Sequence, residues 1–247
     1  MQLLIVQSLL LAIPLIFAVL VALRPASHAK VIATVGALGQ TVVALPLLTW
    51  FEWDKAAEVQ GAGSFMWMPE LGLQVSVGVD SVSVLLIALT ALLGPICVVA
   101  SYSAITERLR TYYAWLLILQ AAMVGVFMAR DLVLFYICFE FTLIPMYVLI
   151  SLFGSTNRKK AATRFFLYTF TGSIIALAGL MYVVWFNAYG LAPDRVDGAG
   201  AWTFDIGVLT ESAAYMSATE QGWVLLALLA GFAVKVPLFP VHTWLPL

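Results

Sequence analysis

Apolar residues along this chain come in long unbroken runs, separated by polar stretches, and do not alternate with polar ones. Six runs stand out, at 1–23, 31–50, 82–105, 112–129, 132–153 and 163–186, and a seventh begins near Gln221. A helix needs about 20 mainly apolar residues to cross a hydrocarbon core of about 30 Å, so each run has the length of a membrane span. Strands of a membrane barrel would alternate in segments of about ten residues. The pattern therefore predicts an all-α polytopic membrane protein with about seven transmembrane helices. The first run is read as a span and not as a cleaved leader, because no basic residue precedes it and Arg24 follows it directly.

Two loops on one side of the predicted spans carry patterns of their own. In SFMWMPELGLQVSVGVD, Phe65 and Trp67 alternate, Pro69 to Gly72 reads as a turn, and Leu73, Val75, Val77 and Val79 alternate again, which predicts a hairpin. Residues 192–200 form a Pro/Gly/Asp loop, and WTFDIGVLTESAAYM after it predicts a short interfacial helix.

Composition fits a lipid environment: 63% of residues are hydrophobic and 10% charged, against roughly a quarter charged in soluble domains. Near-zero net charge, from 12 basic and 13 acidic residues, hides an asymmetry along the chain. Loops after spans one, three and five hold Arg24, Lys30, Arg108, Arg110, Arg158, Lys159, Lys160 and Arg164, eight of the basic residues. Loops after spans two, four and six hold Lys55, Arg130 and Arg195 among eleven acids. The positive-inside rule then places the amino terminus outside, and topology accounts for the Arg158-Lys159-Lys160 run without a further role. The two cysteines, Cys97 and Cys138, lie inside predicted spans and are too few for a thiolate-ligated cluster or a disulfide framework. They read as small buried side chains. No phosphate-binding glycine loop and no cluster of metal ligands is present.

Two charges fall outside the loop count. Glu140, in LFYICFEFTLIPMYVLI, lies nine residues past Asp131, about 13 Å into the bilayer at about 1.5 Å per residue. Lys235, in LLALLAGFAVKVPLFPVHTWLP, lies twelve residues past Trp223, about 18 Å deep. A charge at that depth costs from about 2.5 to more than 10 kcal/mol and persists mainly where it faces protein or water. The bland reading is a pin between helices. The functional one is a relay: desolvation opposes both charges, while each charge favours the other, so a change in their spacing can move a proton.

The backbone around both residues fits such a path. Pro145 removes a helical hydrogen bond and frees the carbonyl of Phe141. Pro237, Pro240 and Pro246 follow Lys235, so helix seven should break beside its lysine, as helices do where they line ion sites. Helix six offers Tyr168, Thr169, Thr171, Gly172, Ser173, Ala176 and Gly179; the small residues allow close packing, and Thr169 and Ser173 could orient water between the two charges. His242 has two readings, relaying protons or capping a freed carbonyl.

The strings RDLVLFYICFEFTLIPMYVLI and FAVKVPLFPVHTWLP, with GVDSVSV at 78–84, resemble the antiporter-like membrane subunits of respiratory complex I, most closely the M (chain 4-type) subunits of bacterial NADH:quinone oxidoreductase. The resemblance implies the N-terminal half of a fourteen-helix antiporter-like fold: helices one to three with the outer loop 51–80 in residues 1–110, and helices four to seven of an incomplete first repeat in 111–247. It implies that Glu140 and the broken-helix Lys235 form the ion pair of a proton half-channel, and that His242 matches the histidine of HTWLP, with a less defined duty. It also implies a multi-pass subunit of the bacterial inner (cytoplasmic) membrane that holds no redox cofactor and no metal. Its partners would be the other membrane subunits of complex I and the lipid bilayer, with no nucleic acid. Members continue past HTWLP with Asp, where this chain has Leu247.

Two other functions compete with the proton-translocating complex I subunit. One is a subunit of a multisubunit cation/proton antiporter, which shares both motifs. The other is a structural spacer in which Glu140 and Lys235 are inert.

Overall fold

A computed structural model describes residues 1–245, so Pro246 and Leu247 lie outside the described residues. Among the described residues the regular structure is helical apart from one hairpin. Its helices are α1 (Gln2–Leu23), α2 (Ala29–Trp50), α3 (Ser81–Ala100), α4 (Leu109–Met128), α5 (Leu132–Phe141), α6 (Leu143–Phe153), α7 (Arg158–Trp185), α8 (Ile206–Ala213) and α9 (Ala218–Lys235). Among the described residues six segments have the length and hydropathy of membrane spans, with α5 and α6 together making one, Leu132–Phe153; α9, the expected seventh, is not one of the six. Span three ends at Ala100, short of 105, where the hydroxyl of Ser101 donates to the Val98 carbonyl and starts a turn. Span six starts earlier than its apolar run, because Arg158, Lys159 and Lys160 form the first turn of α7.

The helices are turned inside out relative to those of a soluble bundle. Along α2 the exposed side chains are Val31, Val35, Leu38, Val42 and Leu45, while Ala29, Ala33, Gly36, Ala37, Gln40, Ala44 and Leu47 are buried. Both series follow the helical period. Large residues face lipid and small ones face neighbours, as expected where lipid tails solvate Leu and Val as well as a protein interior does. Cys97 is exposed on α3 and Cys138 half-buried on α5. The expectation of two buried thiols thus fails for Cys97, which sits on an exposed stripe with Leu93 and Ile96.

Prolines inside α1 and α3 are answered by polar side chains of α2. Pro14 leaves the Leu10 carbonyl without its helical donor, and Gln40 Nε2 donates to that oxygen at 2.9 Å. Pro95 does the same to Ala91, whose carbonyl accepts from Thr41 Oγ1. In hydrocarbon each orphaned carbonyl is costly, so these two bonds fix how α1, α2 and α3 sit against one another.

One face of the bundle is closed by the predicted hairpin, β1 (Gln60–Met68) and β2 (Leu73–Val79), antiparallel, with Phe65 opposite Val75. Its turn needs Gly72 at φ 64°, and a side chain there would run into the Trp202 carbonyl. Backbone bonds tie β2 to the start of α5 and on to the start of α8: Arg130 N donates to Ser76 O, Leu132 N to Phe204 O and Ile206 N to Arg130 O. The short helix expected after residue 200 is α8.

Many of the acids counted on this face are helix caps. Asp80 accepts from Ser83 N at the start of α3, Asp131 from Val133 N and Leu134 N at α5, and Asp205 from Gly207 N and Val208 N at α8. Ser217 and Glu220 form a capping box on α9. Carboxylates suit the positive ends of helices. Helices α2, α4 and α7, which begin on the opposite, basic face, have no side-chain cap.

Candidate functional site

Glu140 is the penultimate residue of α5. The Asp131 cap and the backbone ties at Leu132 fix where α5 begins, and nine residues later the chain reaches Glu140. Helical bonding then lapses at Thr142, between α5 and α6, although the backbone there stays helical at φ −59° and ψ −25°. Pro145 is the cause, since it cannot donate to the Phe141 carbonyl. Thr142 Oγ1 turns back to donate to the Phe139 carbonyl at 2.7 Å.

Lys235 is the last residue of α9. Beyond it the chain turns: Val236 N donates to Phe232 O and Leu238 N to Ala233 O, each at 2.8 Å. Pro237 and Pro240 prevent a regular helix from continuing. The Trp244 indole reaches back to donate to the Val234 carbonyl at 3.0 Å and packs edge-on against Phe165, and Thr243 Oγ1 bonds the Tyr168 hydroxyl. The broken segment is thus folded back against α7 and α9.

The lysine points across to α5. Its Nζ donates to the Phe139 carbonyl at 3.1 Å and lies 3.0 Å from the centroid of the Phe139 ring. Phe139 precedes Glu140, yet no direct ion pair forms: the ion pairs among the described residues are Lys55–Glu52 and Arg130–Asp80. Both carboxylate oxygens of Glu140 are buried and have no hydrogen-bond partner. Ser173 on α7 and Tyr136, one turn before Glu140, lie beside the carboxylate.

Helix α7 brings its small face to α9 as its composition suggests. A side chain at Gly172 would press on Val234, and one at Gly179 on Ala227. Thr169 and Ser173 are buried, but their hydroxyls donate to Phe165 and Phe170 carbonyls of their own helix. Of the two, Ser173 is the one beside Glu140. His242 is half-buried, with its ring near Phe239 and its Nδ1 buried and unpartnered. No hydrogen bond joins it to Glu140 or Lys235, and it caps no carbonyl through Nδ1. The structure thus brings Glu140 and Lys235 to one place, whereas His242, on the broken segment, makes no bond to either.

Two neighbours of the pair escaped the sequence reading. Tyr136, four residues before Glu140, was legible as sharing its helix face. The Phe139 carbonyl was not, because a backbone acceptor has no residue type to signal it.

Residues 9–126 match the family described as NADH-ubiquinone oxidoreductase chain 4, amino terminus, and residues 129–247 that described as NADH:quinone oxidoreductase/Mrp antiporter, TM. The chain is 36% identical over 244 residues to F(420)H(2) dehydrogenase subunit M of Methanosarcina mazei, covering 98% of this chain and 47% of that one. It is 36% identical over 228 residues to NADH-quinone oxidoreductase subunit M of Rhodobacter capsulatus, covering 89% of this chain and 41% of the relative. A chain of respiratory complex I from Thermus thermophilus with bound NADH superposes with a TM-score of 0.78 at 26% identity, over 97% of this chain and 46% of that chain. A chain of the Mrp complex from Dietzia sp. gives a TM-score of 0.79 at 19% identity, over 97% of this chain and 25% of that chain, a likeness of fold. The chain spans about half the length of the curated relatives it matches. Taken together the two family models extend along nearly the whole chain, and it belongs to the antiporter-like membrane subunits of the M or chain 4 type.

Proposed function

We propose that this chain carries a proton half-channel of an NADH:quinone oxidoreductase in which Glu140 and Lys235 form a gated pair. One observation carries the reading: the Lys235 ammonium is bound to the backbone of Phe139, one residue from a buried Glu140 carboxylate that no hydrogen bond satisfies. A carboxylate and an ammonium share this part of the membrane, and the lysine occupies the end of an interrupted helix.

In this arrangement the ammonium rests on a neutral acceptor. A small shift of the segment after Lys235 carries it from the Phe139 carbonyl to the Glu140 carboxylate, where each charge stabilises the other. Withdrawal removes that support and favours the neutral forms, so Lys235 releases one proton to the path and Glu140 takes one up. Renewed approach passes the Glu140 proton to Lys235 and restores both charges, so one opening and closing moves one proton from the Glu140 side of the path to the Lys235 side. Ser173 and Tyr136 supply hydroxyls beside Glu140 for water or proton contact, and His242 is a second candidate carrier on the broken segment.

In this reading the chain itself holds no redox cofactor. Electron transfer from NADH to quinone is the work of other subunits, and the other membrane subunits are its partners. The eight basic residues of the loops after spans one, three and five face the cytoplasm of a bacterial inner membrane. The test is Glu140→Gln in the assembled complex reconstituted into vesicles. It should strongly lower proton pumping with assembly nearly intact, and normal pumping with normal assembly would remove Glu140 from the path.

A further inference from the structure

Between the start of α4 and the turn from α6 into α7, on the basic face, lies an open cavity of about 250 Å³ that the relay does not use. Ile105, Leu152 and Phe153 form its apolar side, and Arg108, Arg158 and Glu107 its polar side. We propose that this cavity binds the phosphodiester headgroup of an anionic lipid, with Arg108 and Arg158 on the phosphate and the apolar side against the glycerol and first methylenes.

Three observations carry the assignment. First, the guanidinium of Arg108 and the cations Arg110, Arg158, Lys159, Lys160 and Arg164 around it form no ion pair among the described residues. Glu107 is the one carboxylate in the loop, so the face keeps a large positive excess. Arg158 donates one N–H to the Leu152 carbonyl, which holds its guanidinium at the cavity wall with other donors free. Second, α4 and α7 begin at this cavity without side-chain caps, whereas α3, α5, α8 and α9, which begin on the acidic face, are capped by their own Asp or Ser side chains. The positive ends of two long helices are thus left for an external anion. Third, the cavity is amphipathic and lies where the spans leave the membrane, the place at which a lipid presents a phosphate above an acyl chain. A freely soluble anion has no use for the apolar side. Basic pockets between spans on the cytoplasmic side suit anionic headgroups.

The test is lipid retention by the full chain within its complex, extracted from membranes and measured by native mass spectrometry after exchange into phosphatidylglycerol or phosphatidylcholine. Arg108→Gly is the informative variant, because Arg108 has φ 50°, a conformation glycine adopts without strain, so the fold should survive loss of the guanidinium. Arg158→Gln and, as a control elsewhere on the same face, Arg24→Gln complete the set; circular dichroism checks folding. Retained phosphatidylglycerol should fall about fivefold in each cavity variant and stay unchanged in Arg24→Gln, with phosphatidylcholine held weakly throughout. Equal phosphatidylglycerol in wild type and both folded cavity variants would overturn the site. Equal retention of the two lipids would overturn the anionic specificity, and displacement by millimolar inorganic phosphate would make it a soluble-anion site instead.

Discussion

Lys235 holds the carbonyl of Phe139 at 3.1 Å and leaves the carboxylate of the next residue, Glu140, without a partner. The two groups of the proposed relay are therefore neighbours through the backbone of α5 and not a closed ion pair. The end of α9 at Lys235 and the lapse in helical bonding at Thr142 put an interruption beside each of them.

If the two act as one unit, their variants should not add. Glu140→Gln and Lys235→Met should each reduce flux through this path by about a hundredfold, and the double variant should be no worse than the poorer single one. Proton flux in reconstituted vesicles measures this. Multiplying effects would mean that the groups serve separate steps.

Phe139 contributes its ring as well as its carbonyl. Phe139→Leu keeps the backbone acceptor and removes the aromatic face under the ammonium. A thermal-unfolding cycle with Lys235→Met should show a coupling of about 0.5–2 kcal/mol. Zero coupling would mean that the ring only packs against Phe135 and Phe232.

Pro145 creates the joint past Glu140. Pro145→Ala returns a donor to the Phe141 carbonyl and should close the break at Thr142. Hydrogen exchange of the amides at 142–144 and 146 should slow, while pumping falls because the carboxylate is now carried on a stiffer helix. Unchanged exchange would show that tertiary contacts hold the break open without the proline.

The bonds that answer the prolines of α1 and α3 carry stability. Gln40→Leu leaves the Leu10 carbonyl without a donor and should cost about 1–3 kcal/mol. Adding Pro14→Ala, whose N–H can bond that carbonyl, should recover most of the loss, as read from unfolding in detergent. A second loss on adding Pro14→Ala would refute the pairing.

Asp80 caps α3 and lies 3.6 Å from Arg130. Burial works against its charge, but the Ser83 bonds and Arg130 outweigh burial and hold its pKa below the ordinary carboxylate value. A lowered folded-state pKa adds stability that is present above the unfolded value, near pH 4, and is lost as pH falls through the folded one. Asp80→Ala should accordingly cost about 1 kcal/mol at neutral pH, and its deficit against wild type should shrink below about pH 4. A deficit constant across that range would exclude an ionised cap.

Much of this protein was legible in the residues. The long apolar runs require helices, because backbone groups in hydrocarbon must be satisfied within their own segment. Pro69 to Gly72 between two alternating stretches required the hairpin, and the prolines after Lys235 required the end of α9. Glu140 and Lys235 could be singled out because a charge in the middle of an apolar run is too costly to be incidental. Even the stripe of small residues on α7 announced close packing.

What the sequence could not hold is which partner each group chooses, because that depends on distances between segments far apart in the chain. Lys235 could have met a carboxylate, a hydroxyl or water; it meets a backbone carbonyl 96 residues earlier, and every residue type carries that acceptor. In the same way Gln40 and Thr41 gave no sign that they serve carbonyls freed by Pro14 and Pro95 on other helices. Periodicity and burial cost act along one segment and can be read there, whereas the pairing of polar groups is settled by how the helices pack.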